Sequence, residues 1–266
     1  MSDAFHPHSI PFVKASACGN DFILIDGKHA PANMAELTRR ICDRHAGVGA
    51  DGVEWLFPTP DADIEARLIN ADGSAAEISG NGTRCVAALL CADRGGEQVR
   101  IRTGAGIKTC TLVAKQGTNF EFEIAMGEPK VGEALPLRIA GREVSGTPVS
   151  MGNPHYVMFV KEFGAAWRED SAEIQRQAAF PEGVNIEIVV VRDPHNIEVK
   201  FFERGVGETQ SSGTGSCASA VAAIATGLGE SPVRVHAAGG AQTVRWQQQV
   251  FLTGPAQLIC RGEFFI

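Results

Sequence analysis

The chain is poor in positive charge. Its 266 residues carry 24 Lys and Arg against 31 Asp and Glu, a net charge of −7, and no basic block stands anywhere along them. A polyanion needs a cationic face, so nucleic-acid binding is disfavoured. No apolar run reaches about 18 residues, so no membrane-spanning segment is expected. The N-terminal stretch Met1-Ser-Asp-Ala-Phe-His-Pro-His8 has neither a basic region nor an apolar core and does not read as a secretory signal. C-x-x-C pairs and His/Cys ligand spacings are missing as well. The seven cysteines (Cys18, Cys42, Cys85, Cys91, Cys110, Cys217, Cys260) are odd in number and scattered. The expectation is a reduced, cytoplasmic protein without a metal site, its cysteines packed as small apolar side chains. Long linkers and low-complexity tracts are absent too.

What is present is ordinary for a soluble globular protein, with 44% hydrophobic and 21% charged residues. One stretch stands out. Asn70-Ala-Asp-Gly-Ser-Ala-Ala-Glu-Ile-Ser79-Gly80-Asn81-Gly82-Thr83-Arg84-Cys85 is a polar, glycine-broken turn that runs into an Ala/Leu-rich segment. The same construction returns at Glu203-Arg204-Gly-Val-Gly-Glu-Thr-Gln-Ser-Ser212-Gly213-Thr214-Gly215-Ser216. Ser212 follows Ser79 by 133 residues, half of the chain. Gly19-Asn20 and Gly152-Asn153, Asn70 and Glu203, and Gly52 and Asn185 share that offset. Several matches at one offset identify a degenerate tandem duplication.

Two domains near the usual size follow: an N-terminal α/β half over residues 1–125, with a C-terminal strand at 257–266 packing on it, and a second α/β half over 126–256. In the first half, 10–16 and 22–26 read as strands around Cys18-Gly19-Asn20-Asp21. Asn33 caps an amphipathic helix to about residue 45, and strands follow at 53–57 and 64–70. Segments 81–92 and 217–225 are apolar nearly all round, so each is a helix enclosed by protein. Strands are predicted at 98–102, 108–113, 119–124, 156–160, 187–191, 197–202 and from 233 onward. The fold class is α/β: two pseudo-symmetric halves, each a curled, mostly antiparallel sheet around a central helix.

The glycine turns carry the chemistry. A helix start offers unpaired N–H donors and a partial positive charge, which makes each turn an anion cradle. Ser79 and Ser212 sit on the rims. If the halves face each other, both cradles look into one cleft, suited to a small substrate with a carboxylate. Asn20, Asn70, Asn153 and Asn185 occupy glycine-flanked turns near them. Arg204 can hold a carboxylate bidentately, and Glu203 can take an ammonium. His155, after Asn153-Pro154, can orient or activate a hydroxyl or thiol.

These motifs resemble diaminopimelate epimerases over essentially the whole chain. The match is carried, in order, by Gly19-Asn20-Asp21-Phe22, Asn70-Ala-Asp-Gly-Ser, Gly80-Asn81-Gly82-x-Arg84-Cys85, Gly152-Asn153-Pro154-His155, and Glu203-Arg204-Gly205-x-Gly207-Glu208-Thr209 with Gly213-Thr214-Gly215. The resemblance implies proton transfer at the α-carbon of a small-molecule amino-acid substrate, interconverting LL- and meso-diaminopimelate for lysine synthesis. It implies no cofactor, neither pyridoxal phosphate nor metal, and leaves a homodimer open. By the same likeness Asn20, Asn70, Asn153, Asn185, Glu203 and Arg204 hold the substrate. Gly80-Asn81 and Gly213-Thr214 grip its reacting carboxylate, and His155 and Glu203 assist the two proton-transferring groups.

Those two groups are cysteines in the family. Here they are Ser79 and Ser212, while Cys85 and Cys217 lie further along the helices as packing residues. Cys18, beside Gly19-Asn20, is a further thiol near the site, best read as buried structure. A thiol titrates near pH 8.5, and lower at a helix N-terminus; a serine hydroxyl is a far weaker acid. Three readings stay open. Ser79 and Ser212 carry out the transfer themselves; the chain isomerises, dehydrates or only binds a related amino or carboxylic acid; or the serines are a replacement that traps substrate.

Overall fold

In a computed structural model, which describes residues 8–266, the chain forms two compact units. One runs to Glu123 and regains Pro255–Ile266; the other is Ile124–Gly254. The first contains β1 (Ser9–Ala17), β2 (Asn20–Asp26), α1 (Met34–Cys42), β3 (Gly52–Phe57), β4 (Ile64–Asn70), β5 (Ala75–Ala76), α2 (Gly80–Arg94), β6 (Gln98–Thr103), β7 (Gly106–Gln116) and most of β8 (Asn119–Gly127). The second contains β9 (Lys130–Val131), β10 (Leu135–Ile139), β11 (Arg142–Ser150), β12 (Pro154–Phe159), α3 (Trp167–Gln175), β13 (Asn185–Asp193), β14 (Asn196–Glu203), β15 (Gly207–Thr209), α4 (Gly213–Ala225), β16 (Val233–Ala237) and β17 (Gly240–Trp246). The last strand, β18 (Val250–Phe265), begins in the second unit and ends in the first.

The 133-residue offset holds for whole elements. Shifted by it, β1 falls on β11 and α1 on α3, end to end. Pairing repeats as well. The β1–β2, β3–β4 and β6–β7 pairs are antiparallel while β2–β3 and β4–β6 are parallel. The second unit has the same sequence of pairings in β11–β12, β12–β13, β13–β14, β14–β16 and β16–β17. Register is kept too: Phe22 stands opposite Gly52 as His155 stands opposite Asn185, and Glu54 opposite Leu68 as Glu187 stands opposite Phe201.

Each unit wraps its sheet about one helix. In α2, Cys85–Cys91 are all buried and pack on β1, β2, β4, β6 and β7; in α4, Cys217–Ala223 are fully buried against β11–β14, β16 and β17. Small side chains let α4 sit close to its sheet, and each fully buried Val or Leu in such a core contributes roughly 1.5–3 kcal/mol.

Three local expectations need adjustment. The glycines expected ahead of α2 and α4 form their first turns, because Ser79 and Ser212 cap the helices one residue before them. Helix α1 stops at Cys42, short of residue 45, where the Asp43 carboxylate accepts from the N–H of His45 and Ala46 and draws the chain into a turn. Strand β11 went unread, since Gly146 and Pro148 interrupt its pattern; the offset from β1 would have revealed it. Six of the seven cysteines are buried, with Cys260 exposed. No helix of the described residues is long and apolar enough to cross a membrane.

Candidate active site

In the first unit, Ser79 is the N-cap of α2. Its backbone is extended (φ −122°, ψ 122°) and its Oγ accepts from the Gly82 N–H at 3.1 Å. Such a cap stabilises a helix by about 1 kcal/mol. The next residues set the mouth: Asn81 donates to the Asn20 side-chain oxygen at 2.7 Å, and Asn20 donates to Asp51 at 2.9 Å. Asp51 also accepts from Arg44 at 2.7 Å, and Asp21 beside it is paired with both Arg44 and Lys14. Burial works upward on the Asp21 carboxyl, but the Arg44 and Lys14 bonds outweigh it and hold it below the usual range. Arg84 is fully buried; it donates to Asn81, to the Pro255 carbonyl at 3.1 Å and to the Cys18 Sγ at 3.6 Å. Burial raises the Cys18 thiol despite that neighbour, so it is protonated near neutrality. Asn70 ends β4 opposite Gly52, the residue after Asp51, and its amide donates to the Ser74 hydroxyl at 3.0 Å.

The second unit repeats the mouth with different residues. Ser212 caps α4 (φ −142°, ψ 125°), its Oγ accepting from the Gly215 N–H at 3.1 Å. Asn153 donates to Thr214 at 3.3 Å, the counterpart of the Asn81–Asn20 bond at the 133 offset. His155 is held on both sides: Nδ1 is 2.7 Å from Glu187 Oε1 and Nε2 is 3.0 Å from Asn153 Oδ1. Imidazole and carboxylate are both fully buried. Asn185 accepts from the Arg204 backbone N–H at 3.0 Å and donates to the Pro154 carbonyl at 2.9 Å. Glu203 closes β14, and the Arg204 guanidinium donates to the Glu182 carbonyl at 2.8 Å.

The structure thus gathers Asn20, Ser79, Gly80 and Asn81 in one unit and Asn153, His155, Ser212, Gly213 and Thr214 in the other. It also brings in two carboxyls that sequence reasoning missed. A Cβ on Gly82 would lie 2.2 Å from Glu54 Oε1, and one on Gly215 would lie 2.8 Å from Glu187 Oε1. Glycine is therefore required at both positions by close approach, since neither has positive φ. Glu54 and Glu187 are themselves 133 residues apart, each an acid inside an apolar strand, and that coincidence was the available signal.

The diaminopimelate epimerase family model matches residues 12–131 and 147–259. The chain belongs to the diaminopimelate epimerase family. It is 38% identical to the diaminopimelate epimerase of Pelotomaculum thermopropionicum, over 95% of this chain and 98% of that one. It is 35% identical to that of Halothermothrix orenii, over 97% and 98%. In fold it is similar to a hydroxyproline epimerase from Agrobacterium vitis solved with bound trans-4-hydroxy-L-proline, with a TM-score of 0.69 and 15% identity over 97% of this chain and 93% of that one. Family membership places the protein among the isomerases, in a two-part pseudo-symmetric fold.

Proposed function

We propose that the protein epimerises LL-diaminopimelate to meso-diaminopimelate, for lysine synthesis, by moving a proton at the α-carbon without pyridoxal phosphate. One observation carries the reading: the serine-capped helix start and the amide-lined mouth beside it are built twice, at one offset, in a chain of this family. In it, the first-turn N–H groups of each helix, at Gly80-Asn81 and at Gly213-Thr214, are the donors that can take a carboxylate and stabilise charge that develops on it. Asn20, Asn70, Asn153 and Asn185 set the mouths, while Glu203 and Arg204 meet the distal ammonium and carboxylate.

Ser79 and Ser212 stand where the family resemblance puts the proton-transferring cysteines. Each hydroxyl oxygen accepts a helix N–H, which favours the cap and does nothing to make it a base. The transfer then needs stronger bases nearby, and in the second unit this reading gives that work to His155 and Glu203. The same commitment of both serine oxygens favours a second reading, a relative that binds this amino acid without epimerising it.

Deuterium incorporation at the α-carbon in heavy water separates the two. The native protein exchanges slowly, and a Ser79→Cys/Ser212→Cys variant exchanges about a thousandfold faster, corresponding to roughly 4 kcal/mol of barrier. Binding of diaminopimelate with no exchange by either form would establish the second reading.

A further inference from the structure

We propose that Glu54 is the catalytic residue that takes and returns the substrate's α-proton at the α2 cradle, the work for which Ser79 lacks a base. The inference rests on the epimerase reading and adds a group to it. Glu54 lies on β3, 3% exposed. Among the described residues nothing hydrogen-bonds to its carboxyl or pairs with it. The carboxyl reaches the first turn of α2: the point a Cβ of Gly82 would occupy is 2.2 Å from Glu54 Oε1 and 3.3 Å from Ser79 Cβ, which puts the acid beside the residue that replaces the family's cysteine.

A buried carboxyl without a partner is costly, and a purely structural role would be served as well by Leu or Gln. Its surroundings keep it unpaired. Leu24 of β2 and Leu68 of β4 flank it in register, and α2 lies over it with Gly82 and the Cys85 thiol, itself pushed up by burial. Burial alone raises Glu54 to about 8. A group titrating there is present in both forms near neutrality, as one that accepts and later donates a proton must be. In the step, the Cα–H bond breaks, an O–H bond forms on the Glu54 carboxylate, and the electron pair passes into the substrate carboxylate held by the helix N–H groups. In the reverse direction the protonated acid supplies the proton. Nothing is oxidised or reduced.

The test measures α-proton exchange of diaminopimelate in heavy water from pH 6 to 10, with calorimetric binding of the same compound, for the native protein, Glu54→Gln and Glu54→Gln/Ser79→Cys. The native rate should rise through an inflection near pH 8. Glu54→Gln should lose at least about a hundredfold in exchange and the inflection with it, while binding stays within a few-fold. The Ser79→Cys change in that background should restore exchange, because a thiol then stands at the same cradle, and restored exchange also shows that the variant folds. Exchange by Glu54→Gln at the native rate overturns the assignment of Glu54 alone. Lost exchange that the cysteine fails to restore overturns it too, as a structural loss. No exchange by the native protein overturns both this assignment and the epimerase reading.

Discussion

Glu54 and Glu187 are the same position in two copies of one design, yet they are kept in different states. Each stands on the strand opposite a helix start and touches a glycine in the first turn. Beside Glu187 the chain places His155, 2.7 Å away, and the pair shares its burial cost. Burial still raises the Glu187 carboxyl, but His155 pulls against that rise. At the corresponding place in the first unit stands Phe22, which offers nothing to a carboxylate, so Glu54 meets the full effect of burial. A duplicated scaffold can thus hold one acid as half of a dyad and the other as a lone proton carrier through a single difference on the preceding strand.

The comparison can be broken most forcefully from the dyad side. Replacing His155 by Ala leaves Glu187 buried without a partner, and its Oε2 already lacks one. A loss of about 3–5 kcal/mol at pH 7 is expected from urea unfolding, shrinking as the pH falls and the carboxyl protonates. A loss below about 1 kcal/mol would mean the pair is not the device described.

On the other side the effect runs with pH. Glu54 moves from an ordinary 4.5 to about 8 in the folded protein. Between those values the native state holds a proton that the unfolded chain has released. The stability that Glu54 contributes is therefore fully present below about pH 4.5 and is lost as pH rises to about 8, by up to ~1.4 kcal/mol per unit. Glu54→Gln should remove that slope and be the more stable protein at pH 8. An unchanged slope in the variant would show that the carboxyl is solvated or paired.

The glycines give the smallest and most local test. Gly82→Ala puts a methyl against Glu54 Oε1 and should cost about 1–3 kcal/mol. At Gly80, two residues earlier, a Cβ would meet nothing within 4 Å, so Ala there should be neutral or stabilising by about 0.4–1 kcal/mol. Equal costs at the two positions would remove the argument that close approach selects glycine.

Much of this was legible in the sequence. The offset between Ser79 and Ser212 announced the duplication, and the all-round apolar segments announced two enclosed helices, because both patterns are local or periodic. Family motifs marked the residues around the cradles for the same reason. Less was legible about what those residues touch. The readings of Asn20, Asn153 and His155 as site groups did not include their bonds to Asp51, Thr214 and Glu187, since those partners lie 31 to 61 residues away along the chain.

By itself, then, the chain's order of residues determined the repeat, the two enclosed helices behind their glycine turns, and the identity of the side chains at each mouth. Only the folded sheet decided that a glutamate in an apolar strand would be pressed against a helix start, and that one copy would find a histidine there and the other a phenylalanine. The reason is physical: protonation state depends on what surrounds a carboxyl in three dimensions, and those surroundings are assembled by strand register rather than by neighbours in sequence.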